Sequence, residues 1–159
     1  INQLKEGGKL IFIRHAYAPG SGDPDNFNLN DCSTQRNLSK EGQRQAEYIG
    51  EFFRNNRVKI DKVLSSEWCR CKETAKIAFN NFSTNSFLNS FYSSKFAKNK
   101  DKQVRALKEY IKKFKSDKNL VLVTHYVLIS EILNYGPSSG EIVVSNKNLN
   151  IIGSLEINY

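Results

Sequence analysis

The chain contains two histidines, and each ends a short apolar run: Leu10-Ile11-Phe12-Ile13 leads into Arg14-His15, and Leu120-Val121-Leu122-Val123 into Thr124-His125. Runs of this length and composition predict buried strands. In open α/β sheets, ligands bind in the crevice beyond the carboxyl ends of the strands. Two parallel strands would therefore deliver both imidazoles to one edge and a shared site. Arginines accompany them. Arg14 adjoins His15, and Arg70 falls in the first turn or two of a helical pattern that follows Ser65-Ser66. A helix N-terminus adds free amide donors and the positive end of the helix dipole. Planar guanidiniums, imidazoles and helix-end amides together describe a site for a phosphoryl group. Any one of these residues alone would read as packing or surface charge; the set of four reads as a site.

The elements that must position them alternate. Ser39 can cap a helix whose Gly42, Ala46, Ile49 and Phe53 form one stripe. Val63-Leu64 forms another strand entering Ser65-Ser66, and a helical pattern runs from Glu67 to Phe79. A helix after His125 extends to Leu133 and stops before Gly136-Pro137, and Ile142–Val144 and Leu149–Ile157 read as closing strands, the last at an edge. Strand–helix alternation argues for an α/β fold with a largely parallel sheet covered on both faces. Two polar segments, Pro19–Arg36 and Asn80–Lys100, are long for connections and are candidate walls of the site. Within them Ser21 and Gly22 read as a Gly/Pro-driven turn, while Phe87, Phe91, Tyr92 and Phe96 either line a pocket or pin the loop to the body. Trp68 reads as core.

The length of 159 residues fits a single domain, 1–159, with enough apolar residues (39%) for one core and no general disorder. No apolar stretch approaches the roughly 20 residues of a membrane-spanning helix, so no membrane insertion is expected. The net charge of +8 is local. Residues 95–118 hold ten Lys/Arg against three Asp/Glu, and Val104, Leu107, Ile111 and Phe114 make that segment an amphipathic helix. It reads as a solvated lysine face, and no nucleic acid is expected as a partner, since no zinc-finger or RRM-type motif accompanies it. Cys32, Cys69 and Cys71 lack metal-ligand spacing. Cys69 and Cys71 point to opposite sides of a helix, so at most one of them meets Cys32. One disulfide would suit an exported protein, and free thiols a cytosolic one; both readings stand. The start at Ile1 and the lack of Met imply that something preceded this sequence, a signal peptide and a cut boundary being equivalent explanations.

R-H-A at 14–16, S-S-x-x-x-R-x-x-x-T-A across 65–75 and T-H at 124–125 resemble the histidine phosphatase superfamily, also called phosphoglycerate-mutase-like. Arg36-Asn37-Leu38-Ser39 followed by Gly42 and Gln45-Ala46 is similar to the family's R-x-L-[ST]-x-x-G-x-x-Q-A block. The blocks come in family order between about residues 9 and 134, and the short chain looks like the small phosphatase branch. The resemblance implies a three-layer α/β/α sandwich around a mostly parallel sheet. It implies catalytic roles for His15 and His125: His15 attacks phosphorus to give a phosphohistidine that water hydrolyses. Arg14, Arg70 and His125 would hold the phosphoryl oxygens. A hydrogen bond from the other ring nitrogen of His15, typically to a backbone carbonyl, would fix its tautomer. No metal and no cofactor is required, and the expected partner is a phosphorylated small molecule or a phosphohistidine protein.

The family's general acid is the gap. Asn80–Lys100, where larger relatives carry it, has no Asp or Glu, and His125 is followed by Tyr126 rather than an acid. Asp23, Asp25 and Asp31 in the first long loop and Glu131 beyond His125 are candidates; Glu67 reads as a helix-dipole partner. A phosphoramidate substrate tolerates the gap, because its P–N leaving group is easier to expel. The alternative is a non-catalytic phosphate-binding or adaptor module that keeps the pocket and has lost turnover.

Overall fold

A computed structural model describes residues 1–159. Its elements in chain order are α1 (Asn2–Glu6), β1 (Leu10–Arg14), α2 (Lys40–Asn55), β2 (Ile60–Ser65), α3 (Cys69–Phe79), β3 (Ser83–Thr84), α4 (Lys100–Lys113), β4 (Asn119–Thr124), α5 (Tyr126–Leu133), β5 (Ile142–Ser145) and β6 (Ile151–Leu155). The strands form one sheet in the order β3-β2-β4-β1-β5-β6. The four strands from β3 to β1 are parallel, and β5 and β6 close the sheet antiparallel. The expected mostly parallel α/β sheet is what forms, with the hairpin β5–β6 at one edge. No helix is long and apolar enough to cross a membrane.

Leu10–Ile13 of β1 and Leu120–Val123 of β4 are unbroken apolar runs because both faces of these strands are covered. Ile11 and Ile13 of β1 and Val121 and Val123 of β4 point to one side, where Ile49 and Phe53 of α2 and Ala75 and Ala78 of α3 meet them. Leu10, Phe12, Leu120 and Leu122 point to the other, against Leu107 and Ile111 of α4 and Leu128, Ile129 and Leu133 of α5. This is the period-two alternation of a strand read out twice, once into each of two helical layers.

The family-like motif residues have physical work at the junctions of these layers. Ser39 caps α2 by accepting from the Gly42 amide at 3.1 Å. Gly42 is where α2 meets the chain just past β1: a Cβ there would lie 2.0 Å from the Tyr17 carbonyl oxygen. Gln45, buried, accepts from the Tyr17 amide at 3.0 Å and donates to the Ser139 carbonyl at 2.8 Å, bridging the loops that follow β1 and α5. The lysine-rich α4 buries Leu107 and Ile111 and turns its lysines outward, as an amphipathic helix must.

Candidate active site

β1 and β4 are adjacent and parallel, with Arg14 opposite Thr124. His15 and His125 are thus the next residues on neighbouring strands, and their ring centroids lie 5.7 Å apart. The strand ladder continues into them: the His15 amide donates to the Thr124 carbonyl at 3.0 Å, and the Gly140 amide donates to the His15 carbonyl at 3.0 Å. The next amide, of Ala16, donates at 3.0 Å to Thr74 Oγ1, whose hydroxyl donates to the Arg70 carbonyl at 2.8 Å. Thr74 therefore ties the turn after His15 to the first turn of α3, which gives the T-A motif its physical reason.

The imidazole of His15 is almost fully buried, and its Nδ1 lies 2.8 Å from the Ala16 carbonyl oxygen. A carbonyl only accepts, so Nδ1 carries the hydrogen and Nε2 keeps its lone pair. Arg70 completes the assignment, since its Nε–H donates to His15 Nε2 at 3.2 Å. Burial first, and then the Arg70 guanidinium, hold His15 well below its ordinary pKa of 6.5; the Ala16 carbonyl opposes them weakly. Burial, Arg70 and His15 do the same to His125. Both imidazoles are therefore neutral in the folded protein near neutral pH.

A stability consequence follows. Below pH 6.5 the unfolded chain takes up protons on these two histidines that the folded protein refuses, so stability rises with pH in that range. Their contribution is complete above pH 6.5 and is lost as the pH falls from there toward the depressed folded values. Urea unfolding across that range should show the decline, and replacing His125 by Gln should flatten it.

Arg14, half-buried, donates from Nη1 to the Pro137 carbonyl at 3.0 Å and lies over the Tyr126 ring, 5.3 Å from its centroid. Its Nε is buried without a hydrogen-bond partner. Burial and the neighbouring Arg70 lower its pKa, while Tyr126 opposes the shift. His125 has its Nε2 2.8 Å from Ser66 Oγ and 3.5 Å from Cys71 Sγ. Ser66 also accepts from the Trp68 amide at 3.1 Å, so the second serine of the S-S motif joins His125 to the start of α3. Burial pushes the Cys71 thiol up to about 12, leaving it a neutral packing group.

Arg14, His15, Arg70 and His125 share a pocket of about 290 Å³ with Asp23, Arg36 and Trp68. Arg36, which the sequence shows only as part of a motif, braces the loop before it: its Nε donates to the Gly22 carbonyl at 2.7 Å, and its Nη1 donates to the Ala18 carbonyl. Burial and Arg70 pull its pKa down to about 10. Ser21 and Gly22 line the pocket, as do Tyr92 and Phe96, whereas Phe87 and Phe91 are core and pin the second loop. Trp68 is buried yet faces the pocket, stacked on Phe27 at 5.0 Å.

The four acid candidates separate. Asp23 lines the pocket with its carboxylate engaged by Arg70 at 2.9 Å, the Arg36 amide at 3.0 Å and the Trp68 indole N–H at 3.1 Å. Asp25 also lines the pocket and is exposed. Asp31 lies outside it, capping the short turn Cys32–Thr34 by accepting from the Ser33 amide at 3.0 Å. Glu131 lies outside it too, exposed and 3.5 Å from Lys100. Glu67 accepts from Asn89 at 2.8 Å.

The first long loop is bound to the start of α3 at several points. Cys32 is disulfide-bonded to Cys69. Gln35 Oε1 accepts from the Cys69 amide at 2.9 Å, and Asp23 takes Trp68 and Arg70. Cys69 turns outward to the loop while Cys71 turns inward to His125, as a helix requires of residues two apart.

The fold is an α/β fold with a pocket lined by arginines and histidines at the carboxyl edge of a phosphoglycerate-mutase-like sheet. Residues 10–86 match the model of the histidine phosphatase superfamily (branch 1). Over that region, just under half of its length, the chain is similar to the histidine phosphatase superfamily. The mitochondrial serine/threonine-protein phosphatase Pgam5 of Drosophila willistoni is 32% identical over 79 residues, which are 50% of this chain and 24% of that protein. The chain thus matches only about a quarter of that relative's length. A putative phosphohistidine phosphatase SixA from Agrobacterium tumefaciens superposes with a TM-score of 0.64 at 18% identity, over 95% of this chain and 99% of the other. Phosphoglycerate mutase from Thermus thermophilus gives 0.65 at 14% identity, over 94% and 99%. At such identities these two structures establish the fold.

Proposed function

We propose that residues 1–159 form one catalytic domain, a phosphatase that hydrolyses a phosphomonoester or phosphoramidate through a phosphohistidine on His15. The observation that carries this reading is the tautomer of His15: Nδ1 is tied to the Ala16 carbonyl, so Nε2 carries the lone pair, which accepts from Arg70 Nε–H until a phosphoryl oxygen takes over that donor. In the first step that lone pair attacks phosphorus, the bond to the leaving oxygen or nitrogen breaks, and its electron pair departs with the leaving group. Arg14, Arg70 and His125 hold the three phosphoryl oxygens, where negative charge is spread in the transition state. In the second step water attacks phosphorus and gives up a proton, which solvent carries to the departed leaving group. The P–N bond then breaks, and inorganic phosphate leaves a neutral His15. Low basicity keeps the imidazole unprotonated well into the acid range.

Proton delivery decides the substrate class. Asp23 is held by three donors, Asp25 lines the pocket but is solvent-exposed, and Asp31 and Glu131 lie outside it. Leaving groups that need little protonation by the enzyme suit such a site, and a phosphohistidine, whose leaving imidazole is a good one, suits it better than a sugar alkoxide. The likeness to a putative phosphohistidine phosphatase supports the same choice. Turnover of a phosphohistidine peptide and of a sugar phosphate, compared with chelator present, tests it. The peptide is expected to be the better substrate in kcat/KM, and a preference for the sugar phosphate would reverse the assignment.

A further inference from the structure

Arg70 poses a problem of placement. Its guanidinium is buried, 3% exposed, in a pocket that already contains Arg14 and Arg36. A buried cation among like charges is unfavourable unless an anion or good acceptors compensate it. Apart from the acceptor nitrogen of His15, its partners are the Arg36 carbonyl at 3.3 Å and one anion, Asp23, at 2.9 Å. The Asp23 carboxylate is fixed in turn. Its Oδ1 also accepts from the Arg36 amide, and its Oδ2 accepts from the Trp68 indole. Both donors are rigid, one being backbone and the other a buried ring.

We infer that Asp23 is the positioning residue of the active site, fixing the plane of the Arg70 guanidinium so that Nε faces His15 Nε2 and the phosphoryl pocket. The inference rests on the phosphatase reading above and gives Asp23 a role other than proton donor. Arg70 presents its Nη1 edge to Asp23 and its Nε to the nucleophile, and a planar fork cannot rotate without breaking both contacts. The carboxylate also offsets one of three positive charges. The pocket can then hold its arginines together before an anion arrives.

A proton donor and a positioning residue fail differently. Loss of a general acid is felt on poor leaving groups, by about 10²–10⁴-fold, and scarcely on good ones. Loss of positioning is felt on all of them alike. For Asp23→Asn we expect kcat/KM to fall by about 10²-fold both on para-nitrophenyl phosphate and on an alkyl phosphate. A residue acting through Arg70 must also lose its effect once Arg70 is gone. In an Arg70→Ala background Asp23→Asn should therefore cost little further, a double-mutant cycle far from additive. A loss confined to the alkyl phosphate, or the same fold-loss with and without Arg70, would overturn the inference. If Asp23→Asn does not fold, Asp23→Glu, which keeps the anion and displaces it by one methylene, is taken through the same substrates and cycle.

Calorimetric binding of inorganic phosphate, run in parallel, separates the inference from the reading beneath it. If the parent binds phosphate but turns nothing over, the phosphatase reading fails alone. Asp23 then still stands if Asp23→Asn weakens phosphate binding in the parent and not in Arg70→Ala, and falls if it weakens both equally.

Discussion

His15→Ala is expected to lower the chelator-resistant hydrolysis of para-nitrophenyl phosphate by about 10⁴-fold or more, to the level of buffer. The reason is that no other side chain can take the nucleophile's place. His125 lies 5.7 Å away with Nε2 engaged by Ser66, and Cys71 is a buried thiol whose pKa is raised to about 12. Arg70→Ala should cost less, about 10²–10³-fold, as loss of one donor to developing charge does elsewhere. The ordering of the two variants is the diagnostic part. A nucleophile lost ends turnover, whereas an oxyanion donor lost slows it. Equal rates for His15→Ala and the parent would remove the phosphohistidine mechanism. A parent that binds phosphate and hydrolyses no activated ester would instead make this a binding module.

Reduction of the disulfide is expected to be the largest single loss of stability. Cys32 and Cys69 are 37 residues apart, and closing a loop of that size in the unfolded chain stabilises the fold by about 4 kcal/mol, or about 10 °C in Tm at this chain length. Thermal unfolding with and without dithiothreitol measures it. Cys32→Ser should melt with the reduced parent and show no response to the reagent. Activity below the melting range should fall much less, because Gln35 and Asp23 still tie the loop to α3. A reduced parent as stable as the oxidised one would show that these contacts alone define the loop.

The parts of this protein that follow from local pattern were legible. Both strand exits, the cap at Ser39, the stripe of α2 and the two-sided burial of β1 and β4 all follow from spacing and residue type. So did the convergence of Arg14, His15, Arg70 and His125 on one pocket, since adjacent parallel strands leave them nowhere else to go. Contacts between side chains distant in sequence were not legible. Nothing near Asp23 announces Arg70 or Trp68, and its chemistry as a carboxylate is the same whether it donates a proton or braces a cation. The choice of Cys69 over Cys71 depends on where α3 begins and which way its first turn faces. Glu131 lies opposite the buried Ile129 and Leu133 on α5, so helical spacing already places it on the outer face, away from the pocket.

The pairing of β1 with β4 carries a last consequence. The spacing of the two imidazoles is a rung of a hydrogen-bonded ladder in the middle of the sheet, and it cannot loosen before the core itself does. The walls that would meet the rest of a substrate, by contrast, include exposed residues of two long loops, among them Ser21, Tyr92 and Lys95. Reactivity and discrimination are thus lodged in parts of the molecule with different melting behaviour. On warming, hydrolysis of a small generic ester should persist up to the global transition, while preference among larger substrates fades first.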